Sequence, residues 1–499
     1  MSYIINNNNI LYYKRPIFRI KSRPYSATWL TVSKSDGEGR ERDALVVFSG
    51  DFKERYSDIK LEGHSSLSEA PFKLDLQGKP RPAAALSAEA YINHVIEQQP
   101  FPTPAETFRE LASSVDRFVA FDGSFATQTD MADFLACWVL STYATCEFDV
   151  VGYIWPNAER GSGKTQCLNT ITELAYLGLT TTSSSSFASI RDEAMLGATI
   201  GFDDCENIKK MDHNKRELLL AGNTKGASVA LKVQGRREGD WETQYVNPFA
   251  PRAFTSIGLP DPVLESRTIM IPLVQSSDQA RTRRKPKNHD DWTIRPSKLR
   301  DYAWLNVVCG LADIASAKRE MGSEVDLTGR NFDIFQPILT MAYWLQNRHG
   351  VDRLFDSMLA VLDSYQRTKI ENHLPSPDAI LLQVAWDELA KKGKDSITVA
   401  TSSLVTTFTD MCRKNDITDE EYLDIGTQRI GQMLGRLGFK KNNSHGSYRS
   451  WRITRSLIAE KAKAIGFVLK DIPEFDLPKP IGEITDGPWS NDSSVKAPW

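Results

Sequence analysis

Lys164 and Thr165 close the run Glu159-Arg160-Gly161-Ser162-Gly163-Lys164-Thr165, whose residue types and spacing suit phosphate chemistry. Backbone amides of Gly161, Ser162 and Gly163 can wrap a polyphosphate, the Lys164 ammonium can reach its outer phosphates, and the Thr165 hydroxyl can ligate Mg²⁺. This is a cradle for a nucleoside triphosphate, with ATP and Mg²⁺ as the expected cofactors. A five-residue string of this type arises by chance in roughly one chain of this length per thousand, so an ordinary glycine turn is the poorer explanation. There is one departure: Ala158 stands where the pattern has its first glycine, and alanine takes positive φ less readily.

The flanking residues must position that loop. Val150 to Trp155 is a short apolar run that reads as a buried strand, and Cys167, Leu168, Ile171, Leu174 and Ala175 fall on one face of a following helix. The helix N-terminus then points at the phosphates. About 40 residues further on, a second apolar run, Ala198 to Phe202, ends in Asp203-Asp204-Cys205-Glu206. A magnesium-dependent phosphohydrolase needs one carboxylate for the metal and another to orient the attacking water. Asp203 is assigned to the metal with Thr165, and Asp204 to the water, with Glu206 as its rival. A third run, Arg252 to Gly258, ends in hydroxyl residues, of which Ser256 is the candidate sensor of the γ-phosphate. Arg267 precedes a further strand and is suited either to stabilising transferred phosphoryl charge in a neighbouring subunit or to a local ion pair.

These motifs, together with Phe134–Tyr143, Glu217–Gly226, Phe249–Pro260, Glu265-Ser266-Arg267 and Gly329–Ala342, resemble a family of P-loop ATPases from phages, plasmids and integrative elements. The family is catalogued as a domain of unknown function and is often associated with primases. The resemblance spans roughly residues 87–363. It implies an AAA-like motor similar to viral replicative helicases, working as a homo-oligomer and commonly as a hexameric ring, with a primase as a possible partner. It also implies a helical lid in which Arg330 senses the phosphates. The family usually has Glu after the metal-binding Asp, where this chain has Asp204.

Nucleic-acid contacts are expected in two places. Val229–Gln234 and Trp241–Val246 alternate around a glycine-containing turn and read as a β-hairpin carrying Lys232, Arg236 and Arg237. Between Thr427 and Lys470 there are ten Lys/Arg and one acid, Glu460. From Ser376 onwards the order helix, strand, helix, helix, β-wing resembles a winged helix, and Arg429, Arg436, Lys440, Lys441, Arg449 and Arg452 are its candidate phosphate contacts. Winged helices also serve as protein-binding modules. The expected DNA is single-stranded or forked.

The overall reading is an α/β chain divided into a small β-rich module and connector (1–86), a helical segment (87–146), the P-loop core (147–275), a linker and helical lid (276–370), a winged-helix-like domain (371–470) and a flexible tail (471–499). The polar stretch 53–86 reads as connecting structure, and the basic run from Arg281 to Lys287 as a solvated linker. With 499 residues, 41% of them apolar, and a net charge of −3, the chain suits a globular protein and not a wholly basic nucleic-acid coat. The six cysteines form no C-x-x-C pair and the seven histidines show no zinc spacing. An Asn run near the start in place of a signal peptide, and the lack of any apolar stretch of about 18 residues, lead to the expectation of a cytoplasmic protein without a membrane span. Three functions fit: a DNA motor of the mobile-element helicase type, a nucleotide-switched DNA-binding initiation factor or regulator, and a degenerate P-loop scaffold.

Overall fold

Runs rich in β-branched and aromatic residues open the chain and form strands there. The computed structural model describes residues 12–33, 41–76, 84–123, 126–159, 161–182, 184–205, 213–234, 241–256, 260, 262–325, 330–372, 377–414, 420–442, 450–464 and 469. The chain divides into two compact units, Met1–Arg367 and Thr368–Trp499. The first unit begins with β1 (Tyr12–Tyr13), β2 (Ile17–Ile20), β3 (Arg23–Val32), β4 (Arg42–Ser49), β5 (Arg55–Ser57), β6 (Ser65–Ser66) and β7 (Lys73–Leu74). Strands β2 to β6 form one sheet in chain order, antiparallel except between β5 and β6, while β1 pairs with β7. The polar stretch 53–86 therefore holds three short strands where a connector was expected. Its anchor is Phe72, which is buried against Phe18, Tyr25 and Tyr56. Edge strands this short need ladder bonds and one apolar contact more than an alternating pattern.

Next come α1 (Ala88–Ala90), which runs into a π-helical turn at Tyr91–Ile96, α2 (Pro104–Phe118) and α3 (Gln128–Tyr143). Helix α2 starts with a full capping box, Thr103 and Glu106, and has Pro104 in its first turn. Helix α3 is apolar nearly all round and is buried accordingly. The central elements follow: β8 (Tyr153–Asn157), α4 (Lys164–Leu174), β9 (Leu179–Thr182), α5 (Phe187–Met195), β10 (Ile200–Asp203) and α6 (His213–Ala221). After them come the hairpin β11 (Val229–Gln234) and β12 (Trp241–Val246), then β13 (Arg252–Phe254), α7 (Pro262–Glu265) and β14 (Thr268–Pro272). Five of these strands form a parallel sheet in the order β14-β8-β13-β10-β9. Side chains alternate across it: Ile154, Ile269 and Ile271 join the core shared with α4, whereas Tyr153, Trp155, Phe202 and Phe254 pack with residues of α5 and α6. Both faces are covered, which is why its strands read as continuous apolar runs.

The chain continues with α8 (Gln279–Arg283), α9 (Pro296–Glu324), α10 (Arg330–His349) and α11 (Leu354–Asn372), the last of which runs past the unit's end at Arg367. The stretches expected as a lid lie in α9 to α11 and are interrupted at Gly350, where φ is +67°. Helices α9 and α10 bury Trp304, Leu311, Ile338 and Trp344 in the same core as α2, α3 and α4. Trp304 Nε1 also donates to Ser26 Oγ on β3 at 2.8 Å, so the N-terminal sheet and the helices share that core. The basic run is clamped where a solvated linker was expected. Arg281 pairs with Asp116 at 3.3 Å, Lys287 with Glu173 at 2.7 Å, and the buried Trp292 indole donates to Pro286 O at 2.9 Å. The acids that hold it lie on α2 and α4, more than a hundred residues away in sequence.

The second unit contains α12 (Pro377–Lys392), β15 (Ser396–Ala400), α13 (Thr401–Lys414), α14 (Glu420–Leu423), α15 (Thr427–Arg436), β16 (Lys440–Asn442), β17 (Ser450–Thr454) and α16 (Arg455–Ala464). Its sheet is antiparallel in the order β15-β17-β16. Leu381, Val384, Leu404, Phe408, Ile430, Leu434 and Trp451 form a core of its own. Among the described residues, no helix is long and apolar enough to cross a membrane, and the six cysteines are free thiols.

Candidate functional site

The glycine loop leaves the C-terminal end of β8 and enters α4 at Lys164. Gly161 (φ +80°) and Gly163 (φ +87°) take left-handed backbone that a side chain would oppose. Gly163 caps α4 without a side-chain bond, so the first-turn amides face the loop. Ala158 is not among the non-glycine residues with positive φ, so the missing glycine carries no backbone cost at that position. Ser162 Oγ donates to Glu159 O at 2.8 Å and pins the loop. Lys164 Nζ donates to Ala158 O at 2.5 Å and to Glu159 O at 3.0 Å, which sets the ammonium inside the curl.

Strand β10 lies beyond β13 from β8, and its last residue meets the loop. Asp203 Oδ1 accepts from Thr165 Oγ1 at 3.1 Å and from Thr255 Oγ1 at 2.5 Å. Thr255, 3% exposed, also accepts from Asp204 N at 3.1 Å, and its carbonyl accepts from Cys205 N at 2.7 Å. Sequence reasoning placed the sensing hydroxyl at Ser256, which is the next residue and is buried. Thr255, like Thr165, bonds Asp203 through its hydroxyl. The signal that would have found it is the register Phe202↔Phe254, which sets residue 255 beside residue 203. A hydroxyl and a carboxylate 3.1 Å apart are hard oxygen donors that fit Mg²⁺ with water filling its other positions. Asp204 is exposed and takes φ +60°, a conformation aspartate tolerates better than most residues. Glu206 lies outside the described residues. Burial, with Asp203 and Asp204 nearby, pushes the Cys205 thiol up to about 12, so it stays protonated and is no nucleophile. Among the described residues, no group of three or more His, Cys, Asp and Glu gathers as a metal site.

Arg267 is not brought to this end of the sheet. It immediately precedes β14, and its carbonyl accepts from Tyr153 N, the first residue of β8, at 3.0 Å. The length of the strand, five residues, separates it from its own glycine loop by about 13 Å. Its Nε donates to Asn223 Oδ1 at 3.2 Å and its Nη1 to Val263 O at 2.5 Å. Arg330 begins α10, and its side chain lies outside the described residues.

The hairpin β11–β12 pairs from Val229↔Val246 to Gln234↔Trp241. Cross-strand partners share a face, so Tyr245, Lys232 and Trp241 lie along one side. Trp241 is 64% and Tyr245 69% exposed, and Lys232 is exposed too. The turn with Arg236 and Arg237 lies outside the described residues. In the second unit, Arg429, Arg436, Lys440, Lys441 and Arg452 are all exposed. Arg436 is held by Asp378, its Nη2 donating to the two carboxylate oxygens at 2.7 and 2.6 Å. Lys441 Nζ lies 5.5 Å from the Trp451 ring centre, and Arg452 Nε donates to Ser396 Oγ at 3.3 Å. Arg449 falls outside the described residues. A groove of about 290 Å³ runs between Pro377, Asp378, Arg429, Gln432, Met433 and Arg436.

No protein-family model matches the chain, and no curated protein matches it. Among solved structures it is similar to a full-length MCM homolog from Methanopyrus kandleri, at 14% identity and a TM-score of 0.31, over 71% of this chain and 80% of that one. It is also similar to Drosophila ORC bound to DNA, at 11% identity and a TM-score of 0.18, over 72% of this chain and 93% of that one. Likeness at these scores carries no argument about activity.

Proposed function

We propose that this chain is an ATP-dependent DNA motor of the AAA-like P-loop type, acting as a homo-oligomer and most simply as a hexameric ring. The observation that carries this reading is the meeting of Thr165, Asp203 and Thr255 at the C-terminal ends of β8, β10 and β13, beside the loop that holds Lys164. Gly161, Ser162 and Gly163 bind the triphosphate through their amides, and Lys164 offsets charge on its outer oxygens. Thr165 and Asp203 hold Mg²⁺, which supplies electrostatic stabilisation of the phosphoryl oxygens when bound. Asp204 or Glu206 orients water. Arg267 lies too far from its own loop and acts on the site of a neighbouring subunit. DNA, single-stranded or forked, meets the hairpin through Trp241, Tyr245 and Lys232. The second unit is a winged helix whose basic residues contact phosphates. A replicative helicase of a mobile element, acting beside a primase, is the setting this chemistry suits.

The test is nucleotide hydrolysis with and without single-stranded DNA. Lys164→Ala is expected to lower turnover by about 100-fold or more, the usual cost of removing a preorganised charge-stabilising group, and unchanged turnover would sink the site. A nucleotide-switched DNA-binding factor is the second reading. It is favoured by Asp204, an exposed carboxylate on left-handed backbone with the shorter side chain for orienting water. A strand-displacement assay separates the two, because the switch binds DNA in response to ATP without opening a duplex.

A further inference from the structure

The segment Gly222–Gly226 connects α6 to the hairpin, and it is fastened on several sides. Asn223 O accepts from Val151 N at 2.9 Å, Gly222 O accepts from Ala250 N at 3.0 Å, and Lys225 N donates to Asp149 O at 2.8 Å. Lys225 Nζ adds a bond to Cys146 O at 2.7 Å. Below it, the fully buried Arg252 donates to Leu219 O and Tyr153 OH, both at 2.7 Å, and to Pro248 O at 2.9 Å. One guanidinium thus grips the chain on both sides of the hairpin. A Cβ on Gly222 would lie 2.0 Å from Arg252 Nη1, so backbone and guanidinium are in close contact. This mount is joined to Val151, two residues before β8, and therefore to the strand that carries the glycine loop.

Asn223 is 3% exposed. Its Oδ1 accepts from Arg267 Nε at 3.2 Å and from Thr224 Oγ1 at 3.1 Å. Amide oxygen at this position orients the guanidinium without adding a negative charge, so Asn223 itself does not compete with phosphate for Arg267.

We propose that Asn223 is a positioning residue for Arg267, which sets the arginine from the root of the hairpin so that load on the hairpin is transmitted to the nucleotide site of the adjoining subunit. This rests on the assignment of Arg267 to a neighbour's site. Movement of the hairpin root displaces Oδ1, and with it the direction in which the guanidinium points. Asn223 touches no substrate in this scheme, and its whole effect passes through Arg267.

The experiment compares Asn223→Ala, Arg267→Ala and the double variant of the full chain, in nucleotide hydrolysis with and without single-stranded DNA. Loss of one hydrogen bond to a charged guanidinium, taken at the low end of its range, corresponds to about tenfold in rate. Asn223→Ala is expected to lower the DNA-stimulated kcat by about tenfold with KM for the nucleotide within twofold, and to cost less than twofold when added to Arg267→Ala. Asn223→Asp is isosteric and keeps the acceptor, which guards against misfolding of the alanine variant. Its carboxylate competes with the neighbour's phosphate for Arg267, so kcat again falls while KM holds. Unchanged stimulated kcat in both Asn223 variants, or losses that multiply fully with that of Arg267→Ala, overturns the proposal. If Arg267→Ala itself leaves kcat unchanged, the assignment to a neighbouring site has failed and the positioning role falls with it.

Discussion

Replacing Thr255 by valine tests whether the contact network around Asp203 is what places the metal-binding carboxylate. The two side chains are nearly isosteric, so the 3% exposed site keeps its packing while losing one hydroxyl. Two bonds go: the 2.5 Å donation to Asp203 Oδ1, and the acceptance from Asp204 N at 3.1 Å. The first involves a charged acceptor and is worth about 1.5–3 kcal/mol, the second about 0.5–1.5 kcal/mol. Asp204 is exposed, so water can satisfy its amide and most of the cost falls on the orientation of Asp203. Carried into the transition state, a loss of that size lowers kcat by about 10- to 100-fold. Nucleotide affinity without Mg²⁺ should change little, because the glycine loop is intact. The assay is steady-state hydrolysis across a Mg²⁺ titration, together with nucleotide binding at equilibrium, for Thr255→Val and Ser256→Ala side by side. If Thr255→Val keeps turnover within twofold while Ser256→Ala loses it, the choice of Thr255 over Ser256 is wrong.

Asp133 supplies a pH test of stability. Burial, with Asp130 adding to it, pushes its carboxyl up to about 6. The folded state therefore holds this proton more tightly than the unfolded chain does. The contribution of this group to stability is fully present below the unfolded value near 4 and is lost as pH rises through about 6. Asp133→Asn is expected to raise Tm at pH 8 and leave it unchanged at pH 4, and an equal shift at both values would refute the ionisation argument. On the hairpin, Trp241→Ala or Tyr245→Ala removes a stacking platform worth about 1–3 kcal/mol per base. Fluorescence anisotropy with single-stranded DNA across a salt series should show weaker binding with an unchanged salt slope, because no charge is lost. Affinity within twofold of the parent at every salt concentration would exclude the hairpin as a stacking surface.

What could be read along the chain is what depends on neighbours in sequence. The cradle from Gly161 to Thr165 is one turn of backbone and a helix start, so its chemistry is visible in consecutive residues. Strands β8 and β10 and the hairpin declare themselves through apolar runs and alternation, and the inward residues Leu381, Val384, Ala385 and Leu389 of α12 through helical spacing. Asp203 could be chosen because it ends such a run. The short strands of the polar stretch 53–86 carry no comparable pattern, since pairing to a neighbour and scattered apolar contacts such as that of Phe72 with Tyr56 hold them. Composition likewise made the basic run 281–287 look solvated, because the acids that clamp it are distant in sequence. Only tertiary pairing decided that Thr255 is bonded to Asp203, that Arg267 lies at the strand end opposite its own loop beside Asn223, and that Asp378 occupies Arg436. Periodicity says which face of an element is buried, whereas strand order and register say what that face meets, and hydrogen-bond partners separated by tens or hundreds of residues follow from the second alone.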